Sequence, residues 1–253
     1  MAVSYANGAI TLDNPPANSY DIEAIRELGT ALANAEGDGD AHVIVVRSAS
    51  EKFFSAGADV KRFLANDVEA NMEMIRLAHG TLASFARSPK LYVAWIAGHA
   101  LGGGLEIALA CDVRYGVEGR YKLGTPEVTL GLLPGNGGTQ RLPRLIGLGP
   151  ALELLSTGRA IGPERALSLG LVSQLFADEV AFDEHVAGLR KLPALAIAQI
   201  KRAVYEGIAL PIADGLALER ELIEQLFRSS DAHEGLTAFA EKRTPEFTQS
   251  VSR

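Results

Sequence analysis

The chain has 253 residues, of which 47% are hydrophobic and 22% are charged, and its formal net charge at pH 7 is −7. This is the composition of a globular protein long enough to bury a substantial core, and it excludes the disordered, collagen-like and disulfide-scaffold classes. The acidic balance, the lack of a long basic run and an aromatic content of only 6% argue against broad binding to nucleic acid.

The chain shows no sign of secretion or of membrane insertion. Cys111 is the single cysteine, so no intrachain disulfide can form, which fits a reducing compartment. The N-terminus has no basic segment followed by an apolar run, and no stretch of about 18 apolar residues occurs. We therefore expect a soluble, cytoplasmic protein.

The first half of the chain alternates between strand-like and helix-like patterns, which predicts an α/β fold with crossover connections. Asn18 or Ser19 is expected to cap a helix that continues to Ala35. The apolar run 43–46 is typical of a strand buried on both faces of a parallel sheet. The other elements predicted here are strands at 9–12, 92–97 and 113–117 and helices at 68–87 and 105–110.

After about Leu192 the pattern changes, because only helical runs follow, at 194–208, 211–229 and 232–242. The sequence therefore predicts two regions. Residues 1–192 are expected to form an α/β core that carries the active site, and residues 193–253 an all-helical appendage.

Several common chemistries are absent from the sequence. No Gly-Lys-Ser/Thr phosphate loop and no Gly-x-Ser-x-Gly nucleophile elbow occur, and Gly135-Asn136-Gly137 lacks the third glycine of a dinucleotide-binding turn. The five histidines are scattered, and with one cysteine they do not suggest a metal site. We expect no metal and no redox cofactor.

Two glycine-rich turns each follow an apolar strand. The first is the segment from Ser55 to Asp59, and the second runs from Gly98 through Gly102-Gly103-Gly104 into a helix. Small residues let backbone N–H groups approach a ligand, and the first N–H groups of a helix lack internal partners. Either turn alone is explained by tight packing. Two of them together favour a pair of donors for a developing oxyanion.

Two carboxylates lie close to these turns in the sequence. Glu106 is in the first turn of an otherwise apolar helix, and Glu127 follows Pro126. A solvent-facing position explains Glu106 alone, and a helix cap explains Glu127 alone. Together with the glycine turns, they suggest a general base and a general acid on either side of a reacting carbon.

Three ordered motifs make the chain resemble the enoyl-CoA hydratase/isomerase, or crotonase, superfamily over nearly its whole length. They are Ser55-Ala56-Gly57-Ala58-Asp59, then Ala100-Leu101-Gly102-Gly103-Gly104-Leu105-Glu106, then the run from Thr125-Pro126-Glu127 to Gly138-Thr139-Gln140-Arg141-Leu142-Pro143. The ending 234–243 is also typical of this family.

The resemblance implies a right-handed spiral of ββα units, a C-terminal helical domain used in trimerisation, and a homotrimer or a hexamer built of two trimers. It also implies an acyl-CoA thioester substrate whose coenzyme A arrives with the substrate, so that no separate cofactor is needed. The N–H groups of Ala58 and Gly103 would form the oxyanion hole. The implied substrate and CoA contacts are Ala56, Gly57, Asp59, Lys61, Gly102, Gly135, Phe239 and Lys242.

Members resembling the hydratases carry glutamate at the positions of both Glu106 and Glu127. The resemblance therefore implies hydration of a trans-2-enoyl-CoA to a 3-hydroxyacyl-CoA, with Glu106 activating water and Glu127 supplying the proton to C2. The alternatives are an enoyl-CoA isomerase, a hydratase for branched or aromatic acyl groups, and, in another class, a non-catalytic CoA-thioester or RNA binder.

Two segments depart from the family pattern. Many members read Asn-Arg-Pro and then Asn-Ala-Leu after the first strand, whereas residues 13–20 here lack the arginine and end in the larger, more polar Tyr20. Asn136 lies in a variable place beside Glu127, where it either fills space or contacts a polar acyl group. Lys61, Arg62 and Lys242 are either CoA phosphate contacts or solvated surface charges.

Overall fold

A computed structural model describes residues 2–248. Its strands are β1 (Val3–Ala6), β2 (Ala9–Leu12), β3 (Ser19–Tyr20), β4 (Val43–Ser48), β5 (Phe53–Ser55), β6 (Gly57–Ala58), β7 (Leu91–Ile96), β8 (His99–Leu101), β9 (Val113–Val117), β10 (Leu123–Gly124) and β11 (Gln174–Phe176). Its helices are α1 (Ile22–Gly37), α2 (Val60–Ala65), α3 (Val68–Arg87), α4 (Gly103–Ala110), α5 (Gly138–Ile146), α6 (Leu148–Thr157), α7 (Pro163–Leu169), α8 (Glu179–Leu189), α9 (Ala194–Gly207), α10 (Ile212–Phe227) and α11 (Ser230–Glu241), with a 3₁₀ helix at Pro126–Leu130.

The strands form a six-stranded sheet in the order β1-β2-β4-β7-β9-β11, a three-stranded sheet in the order β10-β8-β5, and the pair β3-β6. Strands β1 and β2 pair antiparallel, and the other strand pairs are parallel. Three times in succession one strand joins the large sheet and the next joins the small one, as in β4-β5, β7-β8 and β9-β10. This repetition is the expected spiral of ββα units, so the predicted fold class is confirmed.

The large sheet is covered on both faces, which explains the continuous apolar run of β4. Ile44 and Val46 face the main core with α1, α3 and α4, whereas Val43 and Val45 face a second cluster that includes Trp95. Successive strand residues point to opposite faces, so a strand buried on both sides must be apolar at every position.

Helix α1 begins at Ile22, later in the chain than a cap at Asn18 or Ser19 would place its start. Asp21 is the N-cap, and its carboxylate accepts from the N–H groups of Glu23 and Ala24. Ser19 belongs to β3, and Asn18 is buried with a left-handed φ of 51°. The expectation that Asn18 or Ser19 caps the helix was therefore wrong, because the Asn18 amide instead donates to the backbone of neighbouring segments and to the hydroxyl of Ser48.

The last three helices begin and end within two residues of the predicted runs. Helix α9 is tied to the sheet region by Lys201, whose ammonium donates to the carbonyls of Phe85 and Lys90 and pairs with Asp112 at 2.7 Å. A division of the chain at residue 192 stays a prediction. Within residues 2–248, no helix is long and apolar enough to cross a membrane.

Candidate active site

The two glycine-rich segments touch each other at Gly57. Its φ is +89°, which glycine adopts without strain, and a Cβ there would lie 2.8 Å from the carbonyl oxygen of Leu101 and 3.0 Å from the nitrogen of Gly103. Gly104 packs as closely on the other side, since its Cβ would lie 2.3 Å from the carbonyl oxygen of Ser55. The glycines therefore allow the backbone after β5 to lie directly against the start of α4.

This contact places the segment that carries Ala58 beside the first residue of α4. Gly103 is the first residue of α4, where the N–H has no partner inside the helix. Tyr20 lies opposite Ala58 in the parallel pair β3-β6, and the N–H of Asp59 donates to its carbonyl at 2.8 Å. In a parallel pair, a residue forms hydrogen bonds with the residues before and after the one opposite it. Tyr20 is opposite Ala58, so the N–H of Ala58 is not used in this pairing and faces away from β3.

Glu106 is buried, with 1% of its surface exposed, so its carboxylate is not on a solvent face. Its Oε1 accepts from the backbone N–H groups of Asn136 and Gly138, each at 2.7 Å. Burial raises the pKa of Glu106, and these two hydrogen bonds and the charge of Arg141 oppose the rise. A carboxylate held through one oxygen leaves the other oxygen for a ligand.

Glu127 lies in the 3₁₀ helix, and its carboxylate lies close to Gly102, the residue before α4. A Cβ on Gly102 would lie 3.0 Å from its Oε1, and its Oε2 is buried without a hydrogen-bond partner among the described residues. Burial, together with the charge of Glu106, raises the pKa of Glu127 to about 7. The charge of Glu106 therefore acts on Glu127, and the pKa of Glu127 lies near neutral pH.

A tyrosine and an asparagine complete this region. The Tyr20 hydroxyl lies against Gly103, and it accepts a hydrogen bond from Nδ2 of Asn136. Burial and the charges of Glu106 and Glu127 raise the pKa of Tyr20, so its hydroxyl stays protonated. Asn136 is 3% exposed, and its Oδ1 has no partner among the described residues.

The remaining residues predicted to contact CoA are spread over three places. Asp59 caps α2 by accepting from the N–H of Lys61, which is itself exposed. Ala56 lies beside Gly57, and the carbonyl of Gly135 accepts from Nε2 of His79 at 2.6 Å. The last two are on the C-terminal helix: Phe239 is exposed, and Lys242 is the left-handed C-cap of α11.

Sequence reasoning did not find what holds Glu106. The two N–H donors belong to Asn136 and Gly138, 30 and 32 residues away in the chain. The pair Gly137-Gly138 after Asn136 was the available signal, because a Cβ on Gly138 would lie 3.0 Å from Oε1 of Glu106. A side chain at this place would crowd the carboxylate, so glycine favours the close approach of the loop.

Comparison with known proteins identifies the family of the chain. The model of the enoyl-CoA hydratase/isomerase family matches residues 5–250. The chain belongs to the enoyl-CoA hydratase/isomerase family. It is 38% identical to a probable enoyl-CoA hydratase of Bacillus subtilis (strain 168), over 98% of this chain and 97% of that protein.

Solved structures show the same family fold. The chain is similar to the enoyl-CoA hydratase structure from Geobacillus kaustophilus HTA426, with a TM-score of 0.92, 41% identity, and 97% and 95% of the two chains covered. The enoyl-CoA hydratase from Bacillus anthracis gives a TM-score of 0.92 at 34% identity, over 98% of this chain and 99% of that chain. The protein is thus an enzyme of the enoyl-CoA hydratase/isomerase family with the crotonase fold.

Proposed function

We propose that this family member hydrates trans-2-enoyl-CoA thioesters to 3-hydroxyacyl-CoA. The observation that carries the proposal is the pair of the buried Glu106 and the half-buried Glu127 beside the start of α4, whose first N–H groups have no partner inside the helix. Two carboxylates with raised pKa values supply a base and an acid, and backbone donors supply a place for negative charge.

The thioester oxygen would accept from the N–H groups of Ala58 and Gly103. Addition of water to C3 pushes electrons through C2 to this oxygen, so the two donors bind more strongly as the enolate forms. Loss of one such donor typically costs about 2.7–4 kcal/mol of transition-state stabilisation.

The glutamates would handle the protons. Oε2 of Glu106 accepts a proton from water as the water oxygen bonds to C3 and the C2=C3 π bond breaks. Protonated Glu127 then gives its proton to C2, and the enolate returns to the thioester. The proton gained by Glu106 must pass to Glu127 before the next turnover, so the net change is the addition of one water molecule.

The rest of the substrate would lie along the glycine-rich turns. Contacts with the thioester and its CoA are assigned to Ala56, Gly57, Asp59, Lys61, Gly102 and Gly135, and to Phe239 and Lys242 on the C-terminal helix. Coenzyme A is part of the substrate in this proposal, so no separate cofactor takes part. A homotrimer or a hexamer is the proposed assembly.

The test is the ultraviolet absorbance of crotonyl-CoA after addition of the purified protein, because hydration destroys the conjugated enoyl thioester. We expect the absorbance to fall, and we expect Glu106→Gln and Glu127→Gln each to slow this fall roughly 10²–10⁴-fold while the fold survives. Glu153→Gln is the control, since Glu153 is exposed and pairs with Arg159 on the surface. If both active-site variants kept the wild-type rate, the two-carboxylate mechanism would be wrong.

A further inference from the structure

Tyr20 contacts both the start of α4 and the loop that holds Glu106. It is 5% exposed, lies opposite Ala58 in β3-β6 and places its hydroxyl on Gly103, where a Cβ would lie only 1.7 Å from the phenolic oxygen. Its partner Asn136 also provides one of the backbone N–H groups that hold Glu106. The Tyr20–Asn136 pair therefore lies between the oxyanion donors and the glutamates.

The hydrogen-bonding capacity of this pair is only partly used. Nδ2 of Asn136 donates one N–H to the Tyr20 oxygen, so the hydroxyl proton, the second amide N–H and Oδ1 of Asn136 remain, two donors and one acceptor without partners in residues 2–248. Exchanging the amide oxygen and nitrogen leaves the same count, because both amide N–H groups and a phenolic lone pair then remain instead. Buried polar atoms without partners are rare in proteins, and at a pocket they mark a place for a ligand group.

The chemistry of that ligand group is restricted. It must donate and accept at one position, as a hydroxyl does. A carboxylate cannot donate a hydrogen bond. It would also be repelled, because the charges of Glu106 and Glu127 already act at the position of Tyr20. An aliphatic carbon would leave these buried polar groups unpaired, which is unfavourable.

We infer that Tyr20 and Asn136 together bind a hydroxyl group of the acyl thioester, beside the glutamate pair. The inference rests on the proposed binding of acyl-CoA. Two sources supply this chemistry: the 3-hydroxyl that hydration itself creates, and a hydroxyl that the acyl chain carries farther along.

Binding of three saturated thioesters separates these sources. Butyryl-CoA carries no acyl hydroxyl, 3-hydroxybutyryl-CoA carries the group derived from water, and 4-hydroxybutyryl-CoA carries one on the chain. Dissociation constants are measured by titration calorimetry, with Glu127→Gln in every protein to slow the dehydration of 3-hydroxybutyryl-CoA during the titration.

The variants are Tyr20→Phe, Asn136→Ala and the two combined. Tyr121→Phe is the matched control, since Tyr121 is also 5% exposed and donates its hydroxyl to a backbone carbonyl, that of Val117, at 2.9 Å. Each variant of the pair is expected to bind one hydroxylated thioester roughly three- to tenfold more weakly and butyryl-CoA unchanged. The double variant is expected to lose no more than either single variant, because the two side chains act as a unit.

A loss confined to 3-hydroxybutyryl-CoA assigns the pair to the water-derived hydroxyl, and a loss confined to 4-hydroxybutyryl-CoA assigns it to the chain. Equal changes for all three ligands, or none for any, overturn the inference. Failure of the proposed hydration is recognised separately, because the binding comparison needs no turnover. If no protein binds butyryl-CoA, acyl-CoA binding fails and the inference falls with it.

Discussion

Glu106 and Glu127 are held in different ways, although burial raises the pKa of both. Oε1 of Glu106 accepts two backbone hydrogen bonds, which stabilise its charged form, whereas Oε2 of Glu127 has no partner among the described residues. Of the two, Glu127 is therefore better suited to carry a proton near neutral pH. This difference makes Glu127 the acid and Glu106 the base in the proposed mechanism.

A pH profile of the reaction tests this assignment of acid and base. Because Glu127 must be protonated to donate to C2, kcat/KM for hydration of crotonyl-CoA is expected to decline above pH 7, by about tenfold per pH unit at the limit. Protonation of Glu106 would reduce the rate at low pH, so the whole profile is bell-shaped. The profile is measured between pH 5 and 9, with the residual activity of Glu127→Gln for comparison. A rate that keeps rising above pH 8 would assign the donor role elsewhere.

Gly103 gives a second prediction at the scale of a residue. Alanine there places a Cβ on the Tyr20 hydroxyl, so Gly103→Ala is expected to lower the free energy of unfolding by about 1–3 kcal/mol and to abolish activity. The three atoms nearest to that Cβ all belong to Tyr20, so Tyr20→Ala together with Gly103→Ala should cost less than the sum of the two single changes.

The measurement is urea unfolding at equilibrium, followed by the crotonyl-CoA assay. Gly80→Ala is the control, since Gly80 lies inside α3 with no atom within 4 Å of its Cβ position. That change is expected to stabilise the protein by about 0.5–1 kcal/mol, because glycine is unfavourable inside a helix. Unchanged stability of Gly103→Ala would show that Tyr20 can move aside freely.

At the scale of elements, α4 and α9 depend on different kinds of contact. Helix α4 is apolar and buried along its length, and its glycine-rich start lies against β5 and β6. Helix α9 is amphipathic, and its Lys201 enters the core to meet two carbonyls and a carboxylate. A charged side chain is buried there because all three of its donors find acceptors.

Removal of the Lys201 ammonium is expected to weaken the packing of α9 against the core. Lys201→Met leaves the carboxylate of Asp112 buried without its counter-ion, and we expect a loss of about 3–5 kcal/mol in the free energy of unfolding. Arg202→Met is the control on the same helix, because the exposed pair Arg202–Glu206 should contribute at most about 1 kcal/mol. Equal effects of the two changes in a denaturant titration would contradict the proposed importance of the buried pair.

At the scale of the whole molecule, the C-terminal helices leave large apolar side chains exposed. Ile208, Ile212 and Phe239 are each at least 80% exposed in the single chain. Interfaces between subunits bury side chains of this kind, so these residues are candidates for the interface of the proposed trimer or hexamer.

The assembly is tested by size-exclusion chromatography with light scattering. The expected mass is three or six times 26.8 kDa, and Ile208→Lys is expected to shift the protein towards smaller species. Val180→Lys is the control, because Val180 is 68% exposed on α8, outside the C-terminal helices. A monomer at micromolar concentration would contradict the proposal.

Local pattern in the sequence was enough for the longest helices and strands, whereas α5 to α8 and most of the short strands were not predicted. Helix α3 has the predicted bounds 68–87, and β9 has the predicted bounds 113–117. These elements are specified by periodicity and by breaking residues within their own segments. The short strand β1 was missed, because it is defined by antiparallel pairing with β2 rather than by its own composition.

The sequence by itself determined the family, the glycine turns and the two glutamates as candidates, since each is carried by a contiguous motif. Only the tertiary structure decided how they are held. The N–H groups that anchor Glu106 come from 30 and 32 residues away, and Tyr20 meets Asn136 across 116 residues. Burial changes the pKa of a carboxyl only when distant segments close over it, so the protonation of Glu127 belongs to the folded chain and not to its motif.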